Sequence, residues 1–321
     1  MEQVVVHRAQ FLLLFFRQEH TRSSRMRTTT AAGTAAALSS SSASAVAAPP
    51  QTDGAVGRAA PSPLLLLLKG RRWTIALQEA EENQGQTPGG EASSSSVSHA
   101  AKTGYRLWDS SIALAKYLEH SQQEYKWEGK RVLEVGAGCG LVGIALALQG
   151  ANVVMTDLEE VLPNLQRNLQ ANKLLHKDAL QAEPQVRIGC LRWGHPLDVD
   201  AICAITSQTQ RDTKEKPQEA EEKGFDYVVA SDVIWLDHLV EPLVKTLVMV
   251  AKKGCPQQPT EIILAQETRS LRVERKFFEQ MEEEGFSLHP VAWNELHPDF
   301  RNRAITIYRI RPTASLLHNS K

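Results

Sequence analysis

The segment from residue 131 to residue 157, RVLEVGAGCGLVGIALALQGANVVMTD, limits the fold of this chain more than any other. RVLEV suits a strand that is covered on both faces, and the glycines of GAGCG suit a turn where backbone approaches a ligand closely. The apolar run from Leu141 predicts a helix whose positive N-terminal end faces that ligand. Asp157 follows Gly136 by about twenty residues, a separation at which a carboxylate can accept hydrogen bonds from a ribose diol. The segment therefore predicts an α/β sheet with a nucleoside pocket.

Composition indicates one catalytic domain with appendages. The 321 residues are 42% hydrophobic and 23% charged, with a net charge of −1 and no basic block interleaved with aromatic residues. A dedicated nucleic-acid surface is therefore not expected. Cys139, Cys190, Cys203 and Cys255 show neither CxxC spacing nor a paired framework, which fits a reducing compartment and argues against structural zinc. We expect a cytoplasmic monomer without a metal.

The N-terminal segment, residues 1–61, is rich in Ala, Ser, Thr and Arg and poor in acidic residues, so it cannot build a core. FLLLFF, residues 11–16, is too short to span a bilayer, and an arginine follows it directly. This argues against a membrane anchor and makes a secretory signal weak. A disordered segment is the simplest interpretation, and an organelle transit peptide is the alternative.

Residues 62–311 are expected to form the catalytic domain, and residues 312–321 a tail. PLLLLLKGRRWTIALQEA, residues 63–80, predicts a β-hairpin about a KG turn that could cap the main sheet. A polar linker, about residues 81–102, follows the hairpin, and a charged stretch rich in breakers, about residues 205–223, predicts an exposed insertion.

Strand and helix patterns alternate through this domain, which predicts a doubly wound, mostly parallel, seven-stranded Rossmann-like sheet with an antiparallel C-terminal strand. Strands are expected near residues 131–135, 152–156, 186–191, 226–231, 261–266, 286–292 and 304–310. Helices are expected near residues 140–149, 160–172, 237–251 and 270–284. Ahead of them, YRLWDSSIALAKYLEH suits an amphipathic helix packed on the core.

The glycine pattern alone leaves two cofactors open, because Gly138, Gly140 and Gly143 also satisfy the dinucleotide fingerprint GxGxxG. The compact turn, Glu134 and Trp193 favour S-adenosylmethionine, a smaller ligand with a charged amino acid tail. Glu134 is expected to anchor the network that faces the ammonium group of that tail, whereas the pyrophosphate of a dinucleotide would disfavour a carboxylate at that point. Trp193 is expected to stack on adenine. A solvated strand end and a core tryptophan are the alternative interpretations of these two residues.

Five segments in order, WDSSIALAKYLE, VLEVGAGCGLVGI, TDLEEVLPNLQRNLQAN, LRWG and ASDVIW, resemble the family 16 seven-strand methyltransferases, most nearly their methyltransferase-like 21 branch. The resemblance covers roughly residues 65–311 and implies a protein N-methyltransferase that uses S-adenosylmethionine and acts on a lysine of a protein substrate. It implies cofactor contacts at Trp108, Gly136, Ala137, Gly138, Asp157, Trp193 and Ser231. It also implies that Asp232 and Trp235 form the signature after the fourth strand.

Three positions depart from the commonest family pattern. Cys139 stands where threonine is frequent, Ser231 where alanine is frequent and Trp235 where tyrosine is frequent. Trp235 keeps an aromatic wall but lacks a hydroxyl, so acceptor specificity is expected to differ if that hydroxyl positions the amine. Cys139 is expected to fill space, because no histidine lies nearby in the sequence to activate its thiol.

Asp232 and Trp235 are expected to be the catalytic pair, because strands one and four should meet at the switch point where the ligand binds. Methyl transfer needs a neutral amine, and holding lysine neutral at pH 7 costs on the order of 4–5 kcal/mol. Asp232 is expected to orient the incoming ammonium, while Trp235 walls an apolar channel that favours proton loss. An N-cap of the next helix is the alternative role for Asp232. The alternative functions are methylation of a small molecule or nucleic acid, NAD-dependent oxidation, and a non-catalytic adaptor role on the same fold.

Overall fold

The computed structural model describes residues 62–68, 71–79, 102–176, 186–208, 224–254 and 259–314 of the chain. The expected N-terminal segment, all but the last residue of the linker, the KG turn, and most of the expected insertion and tail lie outside these ranges. The domain boundaries that the sequence suggests therefore stay predictions.

Nine strands form two sheets in the described residues. The hairpin consists of β1 (Ser62–Leu68) and β2 (Arg71–Leu77), which pair antiparallel. The main sheet contains β3 (Arg131–Val135), β4 (Asn152–Asp157), β5 (Val186–Cys190), β6 (Tyr227–Ser231), β7 (Glu261–Glu267), β8 (Phe286–Pro290) and β9 (Ile305–Pro312). Its spatial order is β5-β4-β3-β6-β7-β9-β8, with β9 antiparallel to both of its neighbours. The predicted seven-stranded, mostly parallel sheet is thus confirmed.

The described residues contain the helices α1 (Asp109–His120), α2 (Gln122–Tyr125), α3 (Leu141–Leu148), α4 (Leu162–Leu175), α5 (Pro196–Gln208), α6 (Asp237–Lys252) and α7 (Leu271–Glu283). The sequence pattern did not predict α5, and this helix extends into the first four residues of the expected insertion. Val199 and Ile202, one helical turn apart, are buried against the sheet, and Ile202 lies directly on Gly189. Burial of this short apolar stripe explains why a helix forms in a stretch with breaker-rich surroundings.

Helices cover both faces of the main sheet, as the doubly wound prediction requires. Neighbouring residues of β3 point to opposite faces, so that Val132 belongs to one buried cluster and Leu133 to the other. The first cluster is completed by α1, α3, α4 and the hairpin, and the second by α5, α6 and α7. Because β3 pairs in parallel with β4 on one side and β6 on the other, the switch point lies between β3 and β6.

The hairpin packs on this fold without joining the main sheet. Ile75 and Leu77 of β2 are buried in the first cluster, which also contains Leu165 and Leu169 of α4. The expectation that the hairpin caps the main sheet therefore needs correction, because it covers a helical layer rather than a sheet edge. In the described ranges, no helix is both long enough and apolar enough to cross a membrane.

Candidate functional site

A cleft of about 300 Å³ lies at the carboxyl ends of β3, β4 and β6. Nine of the ten predicted site residues line it, namely Trp108, Gly136, Ala137, Gly138, Asp157, Trp193, Ser231, Asp232 and Trp235. These residues come from widely separated parts of the chain, and the parallel sheet brings them to one edge because its strands end together there. The tenth, Glu134, lies outside the lining.

Three glycines shape the loop that follows β3. Gly136, Gly138 and Gly140 have φ angles of 68°, 53° and 83°, in the left-handed region that side chains disfavour. A Cβ atom at Gly136 would lie 2.9 Å from Val233 Cγ1, and one at Gly140 would collide with Leu165. The loop thus needs glycine for its backbone conformation and also for its packing.

Asp157 closes the same loop from β4. Its Oδ2 atom accepts a hydrogen bond from the Gly138 N–H at 2.7 Å, and its Oδ1 atom accepts one from the Leu158 N–H at 2.8 Å. Burial raises the pKa of the Asp157 carboxyl to about 6, and the two backbone N–H groups oppose that rise. The carboxylate therefore holds the glycine loop and also faces the cleft.

Glu134 is buried behind the loop, with 2% of its surface exposed. Its Oε2 atom accepts a hydrogen bond from the Gly143 N–H in the first turn of α3, at 2.9 Å. Burial raises the pKa of the Glu134 carboxyl to about 8, so this group is mainly protonated at neutral pH. A Cβ atom at Gly143 would lie 2.5 Å from Glu134 Oε2 and from Met155 Cγ. The alternative of a solvated strand end is wrong, and the contact with the cofactor's ammonium group stays a prediction.

The N-terminal wall of the cleft is a loop that ends in Trp108, the residue before α1. Trp108 Nε1 donates a hydrogen bond to the Thr103 carbonyl at 3.0 Å. The carbonyl of Gly104 approaches Gly138 so closely that a Cβ atom there would lie only 3.1 Å away. The sequence pattern identified Trp108 but missed the preceding residues, whose position over the glycine loop depends on tertiary packing.

Asp232 follows β6 with a φ angle of 54°, a conformation that aspartate adopts more readily than most residues. Its N–H donates to the Ala265 carbonyl at 2.9 Å, and its Oδ1 atom accepts from the Glu267 N–H at 3.1 Å. The next helix, α6, begins at Asp237, is preceded by Leu236 and has no side-chain cap. The N-cap alternative for Asp232 is therefore wrong.

Arg269 is the residue of this region that the sequence pattern did not reveal. Its guanidinium donates to Asp232 Oδ2 at 3.1 Å and to Glu267 Oε2 at 2.9 Å. The same group lies over the Trp108 ring, 4.7 Å from its centroid. Arg269 thus joins the acceptor side of the cleft to its N-terminal wall. The sequence feature that could have indicated Arg269 is its position two residues after β7, at the carboxyl edge of the sheet.

Asp232 and Glu267 share the guanidinium of Arg269, and a third acid, Glu274, pairs with a hydroxyl group. Glu274 accepts a hydrogen bond from the Thr268 hydroxyl at 3.2 Å, and burial raises the pKa of its carboxyl. Within the described ranges, no group of three or more His, Cys, Asp or Glu side chains could hold a metal ion. Asp232 and Glu267 are paired with Arg269 instead.

Comparison with known proteins gives a family match over most of the folded part of the chain. A family model described as lysine methyltransferase matches residues 96–284. The protein-lysine methyltransferase METTL21E of Mus musculus is 33% identical over 177 residues, which cover 55% of this chain and 61% of that protein. The EEF1A lysine methyltransferase 3 of Xenopus tropicalis is 28% identical over 204 residues, which cover 64% of this chain and 73% of that protein.

A third relative, the protein N-lysine methyltransferase METTL21A of Danio rerio, is 34% identical over 142 residues, which cover 44% of this chain and 52% of that protein. The chain spans between 51% and 61% of the length of the METTL21E relatives that it matches. The similarity therefore reaches the region that holds the cleft but not the full length of those relatives.

Proposed function

Because the chain belongs to the lysine methyltransferase family, whose model matches residues 96–284, we propose that it transfers a methyl group from S-adenosylmethionine to a lysine of a protein substrate. One observation carries the proposal beyond family membership. A single cleft is lined by the glycine loop and Asp157 on one side and by Asp232 and Trp235 on the other. A nucleoside wall and an acidic, aromatic acceptor wall thus face the same space.

The residues of the nucleoside wall fit S-adenosylmethionine. The Asp157 carboxylate accepts hydrogen bonds from two backbone N–H groups. Each of its oxygens has a second lone pair, which can accept a hydrogen bond from a ribose hydroxyl. Trp193 packs close to Gly136, where its ring can stack against adenine. When bound, S-adenosylmethionine supplies a methyl group on a positively charged sulfonium. Family membership favours this cofactor over a dinucleotide, which the glycine spacing alone left open.

The residues of the acceptor wall fit a lysine side chain. The side chain of Asp232 is only 3% exposed, so its charge acts at short range and with little screening by water. An approaching ammonium group can use the second lone pairs of the Asp232 oxygens, because Oδ1 accepts a hydrogen bond from the Glu267 N–H and Oδ2 accepts one from Arg269. Trp235 contributes an apolar surface, which disfavours the charged form of the amine and so promotes proton loss before transfer.

We also propose that the protein is a monomer and works in the cytoplasm. Cys139, Cys190 and Cys203 are thiols, which fits a reducing compartment. The proposed partner is the protein substrate that carries the acceptor lysine. Binding of this substrate does not require a membrane surface.

The direct test is transfer of a radiolabelled methyl group to proteins of a lysate, followed by identification of the labelled residue. We expect label on lysine with the unaltered chain and a loss of at least about tenfold with Asp232→Ala, since a charge-assisted hydrogen bond contributes about 1.5–3 kcal/mol. Asp237→Asn is the control, because Asp237 is also acidic but pairs with Arg272 and Lys276 away from the cleft. Label on arginine, histidine or RNA would contradict the proposal, as would full activity of Asp232→Ala.

A further inference from the structure

Three asparagines on one face of α4 pair with the backbone of Ala76 in β2 and of Gln78 directly after it. Asn164, Asn168 and Asn172 are each at most 1% exposed, although asparagine is seldom buried. Asn172 accepts from the Ala76 N–H at 3.1 Å and donates to the Ala76 carbonyl at 2.7 Å. Asn168 repeats this arrangement with Gln78, at 2.8 Å and 3.1 Å. Asn172 thus satisfies both backbone groups of Ala76, and Asn168 satisfies both backbone groups of Gln78, the residue after β2.

The geometry of a helix and a strand makes this pairing repeat. Residues four apart on a helix are separated by about 6 Å, and residues two apart on a strand by about 6.8 Å, so alternate strand residues meet successive helical turns. One turn further on, directly after the end of α4, the His176 ring lies 2.8 Å from the Thr74 carbonyl. The side chains of α4 therefore take the place of a neighbouring strand along the free edge of β2.

Two of these asparagines reach the glycine loop: Asn164 Nδ2 contacts the Cys139 sulfur at 3.9 Å, whereas Asn168 bonds the loop backbone. Asn168 Nδ2 also donates to the Cys139 carbonyl, at 3.0 Å. The N–H of the same peptide unit, which belongs to Gly140, donates to the Ala137 carbonyl at 2.8 Å. The peptide plane between Cys139 and Gly140 is therefore held from both sides, in the turn that lines the cleft.

The end of the hairpin also touches the other wall of the cleft. Glu79 Oε1 accepts a hydrogen bond from the Leu107 N–H at 2.8 Å. Leu107 lines the cleft next to Trp108. Of the two residues that follow β2, Gln78 reaches the glycine loop through Asn168 and also accepts from the Cys139 thiol at 3.9 Å. Glu79 bonds the N-terminal wall directly.

We propose that Asn168 is a positioning residue of the cofactor site, which orients the glycine loop through the Cys139 carbonyl and makes the hairpin a structural part of that site. The nature of the ligand rests on the proposed function, whereas the coupling of hairpin and loop does not. Asn172, by contrast, fastens the hairpin to α4 without contact to the glycine loop, since its third hydrogen bond goes to the Asn168 carbonyl at 2.8 Å.

The comparison of Asn168→Ala with Asn172→Ala tests this role. Both variants remove a buried asparagine and three hydrogen bonds, but only the first removes a bond to the loop. Without any ligand, we expect amide hydrogen exchange at Ala137, Gly138 and Gly140 to quicken at least about tenfold in Asn168→Ala, and less than about threefold in Asn172→Ala. Calorimetry with S-adenosylhomocysteine should show affinity at least about tenfold weaker in Asn168→Ala than in Asn172→Ala.

Equal exchange at the loop amides in the two variants would overturn the positioning role, and so would unchanged affinity in Asn168→Ala. If the unaltered chain does not bind S-adenosylhomocysteine, the proposed function fails, and the exchange measurement still decides the role of Asn168. Should Asn168→Ala not fold, exchange of the unaltered chain in low urea decides it. The amides of Gln78 and Gly140 should then open in one step, and separate steps would contradict the coupling.

Discussion

The guanidinium of Arg269 donates a hydrogen bond to the Asp232 carboxylate at 3.1 Å. Because the same guanidinium lies 4.7 Å from the Trp108 ring centroid, it connects the acid proposed to bind the acceptor amine with a wall of the cofactor cleft. Arginine suits this place, since its planar group can stack on an aromatic ring while its edge binds carboxylates. The acceptor acid is thus supported from outside the cleft.

Replacement of Arg269 by methionine should lower kcat/KM for a protein substrate by at least about tenfold, because a buried carboxylate loses a charge-assisted partner worth about 1.5–3 kcal/mol. Arg269→Lys keeps the charge but loses the planar stacking. Its kcat/KM should therefore lie between that of the unaltered chain and that of the methionine variant. Affinity for S-adenosylhomocysteine, measured by calorimetry, should change less than kcat/KM. A methionine variant with unaltered kcat/KM would refute the supporting role of Arg269.

Replacement of Gly140 by alanine should cost more stability than the same change at Gly129. Both glycines have positive φ angles, 83° and 73°, but a Cβ atom collides with Leu165 only at Gly140 and meets nothing within 4 Å at Gly129. Gly129→Ala should therefore show the backbone cost alone, about 1–2 kcal/mol. Urea denaturation measures the difference, and equal losses in the two variants would show that the loop adapts to a side chain.

The Glu134 carboxyl should make stability fall as pH rises. Its pKa is raised from 4.5 to about 8 in the folded chain, so the folded state binds a proton that the unfolded state has released between these values. The resulting stabilisation is complete below pH 4.5 and is lost as pH rises through about 8, at up to about 1.4 kcal/mol per pH unit.

Glu134→Gln removes this titration and keeps an oxygen to accept from Gly143. The unfolding free energy of the variant, relative to that of the unaltered chain, should therefore increase between pH 5 and pH 8. Urea denaturation of both proteins at several pH values measures this difference. Asp157, whose charge also raises the pKa of Glu134, titrates in both proteins and so affects both pH curves. Parallel pH curves for the two proteins would contradict a buried, protonated Glu134.

Most of the fold was predictable because its signals are local. The apolar runs of β3, β4, β6 and β7 are buried on both faces, and each was predicted within one or two residues of its observed bounds. Helix α5 escaped prediction because its apolar stripe is short and breakers follow it closely in the sequence. Its formation depends on a hydrophobic surface that the rest of the sheet supplies.

The local sequence alone determined where the glycine turn lies, which strand ends carry Asp157 and Asp232, and that both meet at one edge of a parallel sheet. It determined these features because hydrophobic period and glycine conformation act over a few residues. Tertiary structure alone decided the protonation of Glu134, the pairing of Arg269 with Asp232 across 37 residues, and the pairing of Asn168 with Gln78 across 90. Such contacts leave no periodic trace in the sequence, because burial and the packing of distant elements create both the need for a polar partner and the partner's position.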